Sequence, residues 1–151
     1  MKDCKVTSLS MNNCRIGEKN GVALAHGFME FSCIQHLSAR HNELGDETAS
    51  QLSEALKKNC SLTKLDLSNN NINDQGGELI AQSLKWNNKL TRLHLTSNNL
   101  GATTGYTFVK RLDKNSTLLH LFIDRNSIPL KIAEEIIEKV TKNQINNENN
   151  K

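Results

Sequence analysis

Basic and imidazole side chains recur at one repeated position of this chain, and they are the groups that could do chemistry. That position holds a residue every 28 places along the sequence, namely Ser8, His36, Lys64, Arg92 and His120. Two places further along, the same spacing gives Ser10, Ser38, Asp66, His94 and Phe122. Imidazole groups can transfer protons or bind metals, and cationic groups bind carboxylates and phosphates. The pattern therefore has to be weighed as a catalytic, a metal-binding or a protein-binding surface.

Catalysis is not supported by any accompanying motif. The sequence has no glycine-rich phosphate loop and no CxxC, HExxH or GxSxG pattern. Acidic pairs such as Glu134 and Glu135 fall on the predicted solvent side of a helix. We predict no enzyme activity, no catalytic residues and no cofactor.

Metal binding is disfavoured by the spacing of the histidines. His94 and His120 fall on neighbouring predicted strands in diagonal positions, which places them roughly 7–8 Å apart. A shared metal ion needs ligand bonds near 2 Å. The sequence therefore predicts no metal site.

The elements that must position these groups are defined by five segments that align without gaps. The segments begin at Val6, Ile34, Leu62, Leu90 and Leu118. Each has an aliphatic residue first, leucine fourth, an apolar or small residue sixth and Ile or Leu eleventh. This alternation predicts a short strand with places four and six inward and places three, five and seven outward. A helical pattern follows each strand, so the strands of successive units must pair in parallel.

The pattern LxxLxLxxNxL resembles leucine-rich repeats, and its 28-residue length with a helical second half resembles the ribonuclease-inhibitor-like class. That class includes sensor regions of NOD-like receptors, GTPase-activating proteins of Ran, and tropomodulin. The resemblance covers residues 4–143 and implies an α/β leucine-rich-repeat solenoid. The expected shape is a short right-handed βα horseshoe segment, with a parallel sheet on the concave face and helices on the convex face. We predict one domain at 1–143 and a disordered polar tail at 144–151.

The ninth place of each unit is predicted to form a structural ladder. It is filled by Cys14, Asn42, Asn70, Asn98 and Asn126. A buried amide has two donors and an acceptor, which can satisfy the backbone of its own loop and of the next one. Because cysteine loses most of that hydrogen bonding, we expect the first coil to be the least stable.

The outward strand positions are the candidate protein-binding face. Its predicted members are His36, Arg40, Lys64, Asp66, Arg92, His94, His120, Phe122 and Asp124. One interpretation is a solvated sheet face that simply needs polar residues. The other is a surface for an acidic protein, because like charges on neighbouring strands cost stability. Phe122 is either a binding hot spot or a residue covered by the polar tail.

We predict a non-enzymatic protein–protein interaction module that binds its partner through the concave face. The repeat class shares an architecture and not a chemistry, so the partner is not identified by it. Two alternatives follow from the resemblance. The first is a regulator of a small GTPase, like the GTPase-activating protein of Ran, and the second is an actin-associated capping module.

Composition and the ends of the chain add further expectations. The net charge of +3 is too mild to indicate nucleic acid. No run of 18 apolar residues occurs, so no membrane partner is predicted. The polar start MKDCKV favours a cytoplasmic protein with Cys4, Cys14, Cys33 and Cys60 reduced.

The first unit has no preceding polar cap, which indicates either a piece of a longer repeat array or an edge that meets a partner. We therefore expect a monomer or a fragment of a longer array. Trp86 takes the place that Lys58 and Lys114 hold in their units. We expect its ring to lie over the loop between repeats.

Overall fold

Strands and helices alternate along the chain in this computed structural model, which describes residues 6–30, 33–59 and 61–149, without the side chains of residues 29 and 30. The elements in chain order are β1 (Ser8–Ser10), α1 (Gly17–Glu30), β2 (His36–Ser38), α2 (Asp46–Lys58), β3 (Lys64–Asp66), α3 (Asp74–Ser83), β4 (Arg92–His94), α4 (Ala102–Leu112), β5 (His120–Phe122) and α5 (Leu130–Asn149). The predicted α/β repeat fold is confirmed.

The strands form one parallel sheet in the order β1-β2-β3-β4-β5. Each strand pairs with the next at the 28-residue offset, so that Leu37 lies beside Leu65 and Leu65 beside Leu93. These fourth-place leucines are 2%, 0% and 0% exposed and form the inner layer of the core. The side chains before and after each leucine point to the opposite, concave side.

Burial falls off at the two ends of the stack. Leu9 of β1 and Leu121 of β5 are only partly buried, although they hold the same place as the fully buried leucines. Each coil covers the apolar face of its neighbour, so an end coil is covered on one side only. The end strands therefore contribute less burial than the central ones.

The loop after each strand turns through a left-handed residue at the eighth place. The residues there are Asn13, His41, Asn69, Ser97 and Arg125, with φ values from 54° to 58°. Positive φ is uncommon for residues other than glycine and is best tolerated by Asn, Asp and His. The eighth place thus fixes the direction in which the chain leaves the sheet.

The ninth-place asparagines lie in the core and bond to the loop before them. The Oδ1 atom of Asn70 accepts from the N–H groups of Asn42 and Leu44, both at 3.0 Å. Its Nδ2 atom donates to Ala39 O at 3.0 Å and to Leu67 O at 2.9 Å. The amide therefore satisfies its own loop and the preceding one, whereas the sequence analysis expected it to reach the next one. In the first unit Cys14 is exposed.

A second asparagine series, not predicted from the sequence, runs through the turns after α2, α3 and α4 and ends inside α5. Its members share the 28-residue spacing and are Asn59, Asn87, Asn115 and Asn143. Nδ2 of Asn115 donates to Leu84 O and Asn87 O, both at 2.9 Å, and its Oδ1 accepts from Leu118 N at 2.9 Å. The amides of Asn87, Asn115 and Asn143 are buried, and each donates to a carbonyl of the coil before it.

A third series joins the starts of the helices through carboxylates. Asp74 at the start of α3 accepts from the N–H groups of Gly101 at 2.8 Å and Thr104 at 3.0 Å, which open α4. Glu18 and Asp46 do the same for α2 and α3. A carboxylate at a helix N-terminus accepts hydrogen bonds from free N–H groups. Its negative charge also interacts favourably with the positive end of the helix dipole.

The series of acidic residues at the helix starts ends at α4, and the N–H group that would donate to its next member is also missing. The next acidic place is occupied by Ala102, and the residue that would donate to it is Pro129, which has no N–H. The chain thus lacks the acceptor and the donor together. Helix α5 begins after Pro129 without an unsatisfied N–H at that point.

The predicted disorder of the tail is wrong for residues 144–149. Helix α5 continues to Asn149, and Asn143 is 6% exposed. The Nδ2 atom of Asn143 donates to Asn115 O at 2.8 Å and to Leu118 O at 3.0 Å, while Gln144 donates to Leu119 O at 2.6 Å. These bonds to the last coil hold a polar segment whose composition alone suggested disorder. The last residues of the predicted tail, 150 and 151, lie outside the described residues.

The prediction of four reduced cysteines is wrong for Cys33, which is disulfide-bonded. Cys14 is free and exposed. The expectation of reduced thiols rested on a cytoplasmic location. Neighbouring coils are only about 4.8 Å apart, which is within disulfide reach.

Candidate protein-binding face

The sheet register brings the candidate residues into two rows on the concave side. His36, Lys64, Arg92 and His120 are paired in sequence along the first row. Asp66, His94 and Phe122 are paired in the same way along the second row. Strand spacing places neighbours in a row about 5 Å apart. Arg40 and Asp124 follow two residues after the strand residues of the second row.

An aromatic stack occupies the end of the second row. The rings of His94 and Phe122 are stacked with centroids 4.2 Å apart and an interplanar angle of 18°. His120 lies next to the same ring, at 6.3 Å and 10°. Phe122 remains 36% exposed, and the α5 residue Gln144 approaches His120 Nδ1 at 3.3 Å. The tail segment therefore contacts His120 and leaves Phe122 accessible.

Arg92 carries an unused hydrogen-bond donor. Its Nε atom is buried and has no hydrogen-bond partner among the described residues. A buried donor without a partner costs about 1–3 kcal/mol. Because Nε is closed to solvent, a partner would contact the terminal nitrogens of this half-buried guanidinium.

The acidic residue of the second row is already neutralised within the face. Arg40 Nε lies 3.7 Å from Asp66 Oδ2, with the two side chains 46% and 21% exposed. The other carboxylate oxygen of Asp66 accepts from Ser68 N at 3.0 Å. An exposed pair of this kind adds at most about 1 kcal/mol to stability. Asp66 is thus paired with Arg40, and neither Lys64 nor Arg92 forms an ion pair with a described residue.

A shallow hollow of about 220 Å³ lies over the first four strands. His36, Lys64, Asp66, Arg92 and His94 line it together with the serines and leucines of β1 and β2. The hollow is open, and its lining is about equally polar and apolar. Enclosed apolar pockets are the usual sites for small molecules.

The two histidines beside Phe122 titrate below the ordinary range. Burial lowers the pKa of His94, the cations Arg92, Arg40 and His120 lower it further, and Asp66 opposes them. Burial also lowers the pKa of His120, with a further contribution from Arg92. Both imidazoles are therefore neutral at neutral pH, and the standing positive charge of the face comes from its lysine and arginines.

The described residues contain no group of three or more His, Cys, Asp or Glu side chains that could hold a metal ion. Within that same part of the chain, no helix is long and apolar enough to cross a membrane. The face presents paired rows of separate cationic and aromatic groups.

The sequence predicted the rows that the register places side by side, but it gave no signal for the contacts within them. The ion pair of Arg40 with Asp66, the unused Arg92 donor and the approach of Gln144 to His120 have no signal in composition or motif. The 28-residue period could have shown that Arg40 and Asp66 lie in neighbouring coils. The approach of Gln144 depends on α5 continuing past the last repeat.

A family model for leucine-rich repeats matches residues 58–81 and 87–104. Together with the repeating β–loop–α coils and their parallel register, this match shows a leucine-rich-repeat architecture. A comparison with curated proteins gave no match.

Two solved structures share this architecture. The actin-binding site 2 of leiomodin-1 superposes with a TM-score of 0.86 at 23% identity, over 98% of this chain and 86% of that one. The tropomodulin C-terminal domain from Caenorhabditis elegans gives 0.84 at 16% identity, over 95% and 87%. At these identities the likeness establishes the fold.

Proposed function

We propose that this chain is a non-enzymatic module that binds a protein through its concave face. The observation that carries the proposal is the juxtaposition of exposed Phe122, stacked on His94, with the half-buried guanidinium of Arg92 in the adjoining strand positions. Aromatic and arginine side chains dominate binding energy at protein interfaces. A partner that covers Phe122 and accepts from Arg92 would gain from both.

The partner would present an acidic surface to this face. Lys64 and Arg92 adjoin in the first row, and the one carboxylate of the second row, Asp66, is paired with Arg40. Complementary charge on a partner speeds association and favours the correct orientation. We propose that a carboxylate of the partner lies over Lys64 and Arg92 while an apolar side chain covers Phe122.

Actin is the first partner to test. One of the two structural neighbours is an actin-binding site of leiomodin-1, and the other is a tropomodulin domain. The likeness extends over nearly the whole chain, so the same surfaces are available for comparison. The proposal of an actin-associated module, with a cytoplasmic location, rests on this resemblance of architecture.

Binding can be measured with immobilised chain and purified monomeric actin. Wild type should capture actin, whereas the variant with Arg92→Ala, His94→Ala and Phe122→Ala should not. If wild type captures no actin, the actin proposal fails, and the same pair of proteins should then be used to capture partners from a lysate. Equal capture by wild type and the triple variant would refute the assignment of binding to the concave face.

The alternative of a small-GTPase regulator is tested separately. Addition of the chain to Ran loaded with GTP should leave the hydrolysis rate unchanged. A severalfold acceleration would support the GTPase alternative and contradict a non-enzymatic binding role. No described contact on the concave face favours this alternative.

A further inference from the structure

A row of lysines with one tryptophan lies along the edge of the solenoid where the helices end. The row occupies a single repeat position in four successive coils and consists of Lys58, Trp86, Lys114 and Lys142. All four side chains are exposed. Because equivalent residues of a solenoid lie at the same height in each coil, the row forms one line at one edge of the molecule.

Trp86 is the unusual member of the row. It is 53% exposed, and the ammonium groups of Lys57 and Lys85 lie over its ring at 5.2 and 4.8 Å from the centroid. From the sequence, the Trp86 ring was expected to lie over the loop between repeats. The structure leaves the ring half open to solvent inside a cluster of cations.

The lysines of the row are free to bind an anion. Lys58, Lys114 and Lys142 form no ion pair with any described residue. The nearby carboxylates of Glu54 and Asp113 are paired with Lys57 and Lys139, which are not members of the row. Lysines near helix C-termini are favoured by the helix dipole, which accounts for part of their number. The dipole gives no reason for an exposed tryptophan among them.

We propose that this edge docks on an anionic lipid surface. Tryptophan is enriched at the interface between lipid headgroups and acyl chains, and clustered lysines are attracted to anionic leaflets. A straight row of long, flexible cations around one exposed ring suits a flat surface with many negative charges. Lipid docking of this kind needs no spanning segment, so it departs from the sequence expectation of no membrane partner.

The neighbouring hollow is not the proposed contact. It has a volume of about 320 Å³ and lies between the turn after α4 and helix α5. Asp113 and Glu138 line it together with Lys114, Lys139 and Lys142. The two carboxylates of the hollow would repel an anionic headgroup. The proposed contact is therefore with the exposed row and not with the hollow. Ile145, which is 53% exposed and lies one turn beyond Lys142, adds a second apolar group at this edge.

The chain provides its own reporter because Trp86 is its only tryptophan. Emission should shift to shorter wavelength when vesicles of phosphatidylcholine mixed with phosphatidylserine are added. Vesicles of phosphatidylcholine alone should give no shift. Salt above about 0.15 M should weaken the effect by screening the lysines. The absence of a shift with the mixed vesicles would overturn the proposal.

Charge reversals at the edge make the test specific. Lys58→Glu and Lys114→Glu together should lower the apparent partition coefficient by at least about fivefold for each lysine lost. The matched control is Lys19→Glu with Lys131→Glu, two exposed lysines near the starts of α1 and α5. A comparable loss in the control would mean that overall charge, and not this edge, governs binding.

Two further comparisons separate the outcomes. The variant with Arg92→Ala, His94→Ala and Phe122→Ala should bind the mixed vesicles as well as wild type, because its changes lie on the concave face. A loss of vesicle binding in that variant would contradict the assignment to the edge. A Trp86 shift produced by polyglutamate but not by vesicles would also refute it, because it would assign the edge to an acidic polypeptide.

Discussion

Phe122 stacks on His94 with ring centroids 4.2 Å apart, although the two residues are 28 positions apart in sequence. The contact is a direct product of the repeat, which places both residues at the fifth position of adjacent units. It buries part of the imidazole and keeps a phenylalanine ring on the open face. We propose that this pair, together with Arg92, forms the partner-binding surface.

The pH dependence of binding should reflect the lowered pKa values of His94 and His120. Protonation adds positive charge to the face and should strengthen capture of an acidic partner. Since both pKa values lie below the ordinary value near 6.5, the increase should begin at a lower pH than an exposed histidine would give. Capture measured from pH 7.5 downward should show this, and His94→Gln with His120→Gln should flatten the profile. A full increase already complete by pH 6.5 would contradict the burial of these rings.

The ladder makes Asn70 a residue of high structural value. The change Asn70→Leu removes an acceptor for two buried N–H groups and a donor to two carbonyls. We expect a loss of about 1–3 kcal/mol in the free energy of unfolding, measured by urea titration. The exposed residue Asn88 provides the control, since Asn88→Leu should change stability by less than about 0.5 kcal/mol. Equal urea midpoints for the two variants would remove the ladder from this account.

The acidic series predicts a loss of stability in acid. Burial raises the pKa of Asp74, but hydrogen bonds from the Thr104 side chain and from the N–H groups of Thr104 and Gly101 outweigh it, so the folded pKa lies below its ordinary value. The stabilising contribution is therefore present above the ordinary pKa and is lost as pH falls through the folded one. The same direction holds for Glu18, where burial is outweighed by bonds from Thr48, Gly45 and Glu47.

Unfolding curves recorded between pH 7 and pH 3 would test that sign. Wild type should lose stability more steeply below about pH 4 than Asp74→Asn, whose side chain cannot titrate. At neutral pH the variant should be less stable by about 1 kcal/mol, as for the loss of a helix cap. Glu134→Gln, on the exposed face of α5, should leave the curve of wild type unchanged. Parallel curves for Asp74→Asn and wild type would contradict the argument.

Protection from hydrogen exchange should be uneven along the stack. Leu9 is only partly buried, whereas Leu65 and Leu93 are 0% exposed. Amides of β1 should therefore exchange faster than those of β3 and β4, because local opening costs less at the end of the stack. Exchange read by mass spectrometry would decide this. Uniform protection across the coils would mean that another surface covers the first one.

The repeat explains why the fold could be predicted and parts of the site could not. Leucine at the fourth place and asparagine at the ninth fix the strand register, so the rows through His36 and His94 follow from counting. The length of α5 does not follow from counting, because Asn143 is held by Asn115 O and Leu118 O in the preceding coil. A polar composition suggests disorder when such long-range acceptors are not known.

The details of charge were equally beyond the sequence. Asp66 could reduce the positive charge of the first row. Its effect there depends on its contact with Arg40, 26 residues away. The Arg92 Nε donor is unused only because of how the surrounding side chains pack. These are properties of side-chain geometry, and a repeat pattern carries only backbone register.

The most direct test compares two matched triple variants in capture of the partner. Arg92→Ala, His94→Ala and Phe122→Ala remove the concave site, and Lys19→Ala, His26→Ala and Tyr106→Ala remove a similar set of exposed side chains from the convex helices. Both variants should keep the thermal stability of wild type to within a few degrees, since the changes lie on the surface. We expect the concave variant to lose the partner and the convex variant to retain it. Loss in the convex variant with full capture by the concave one would contradict the account.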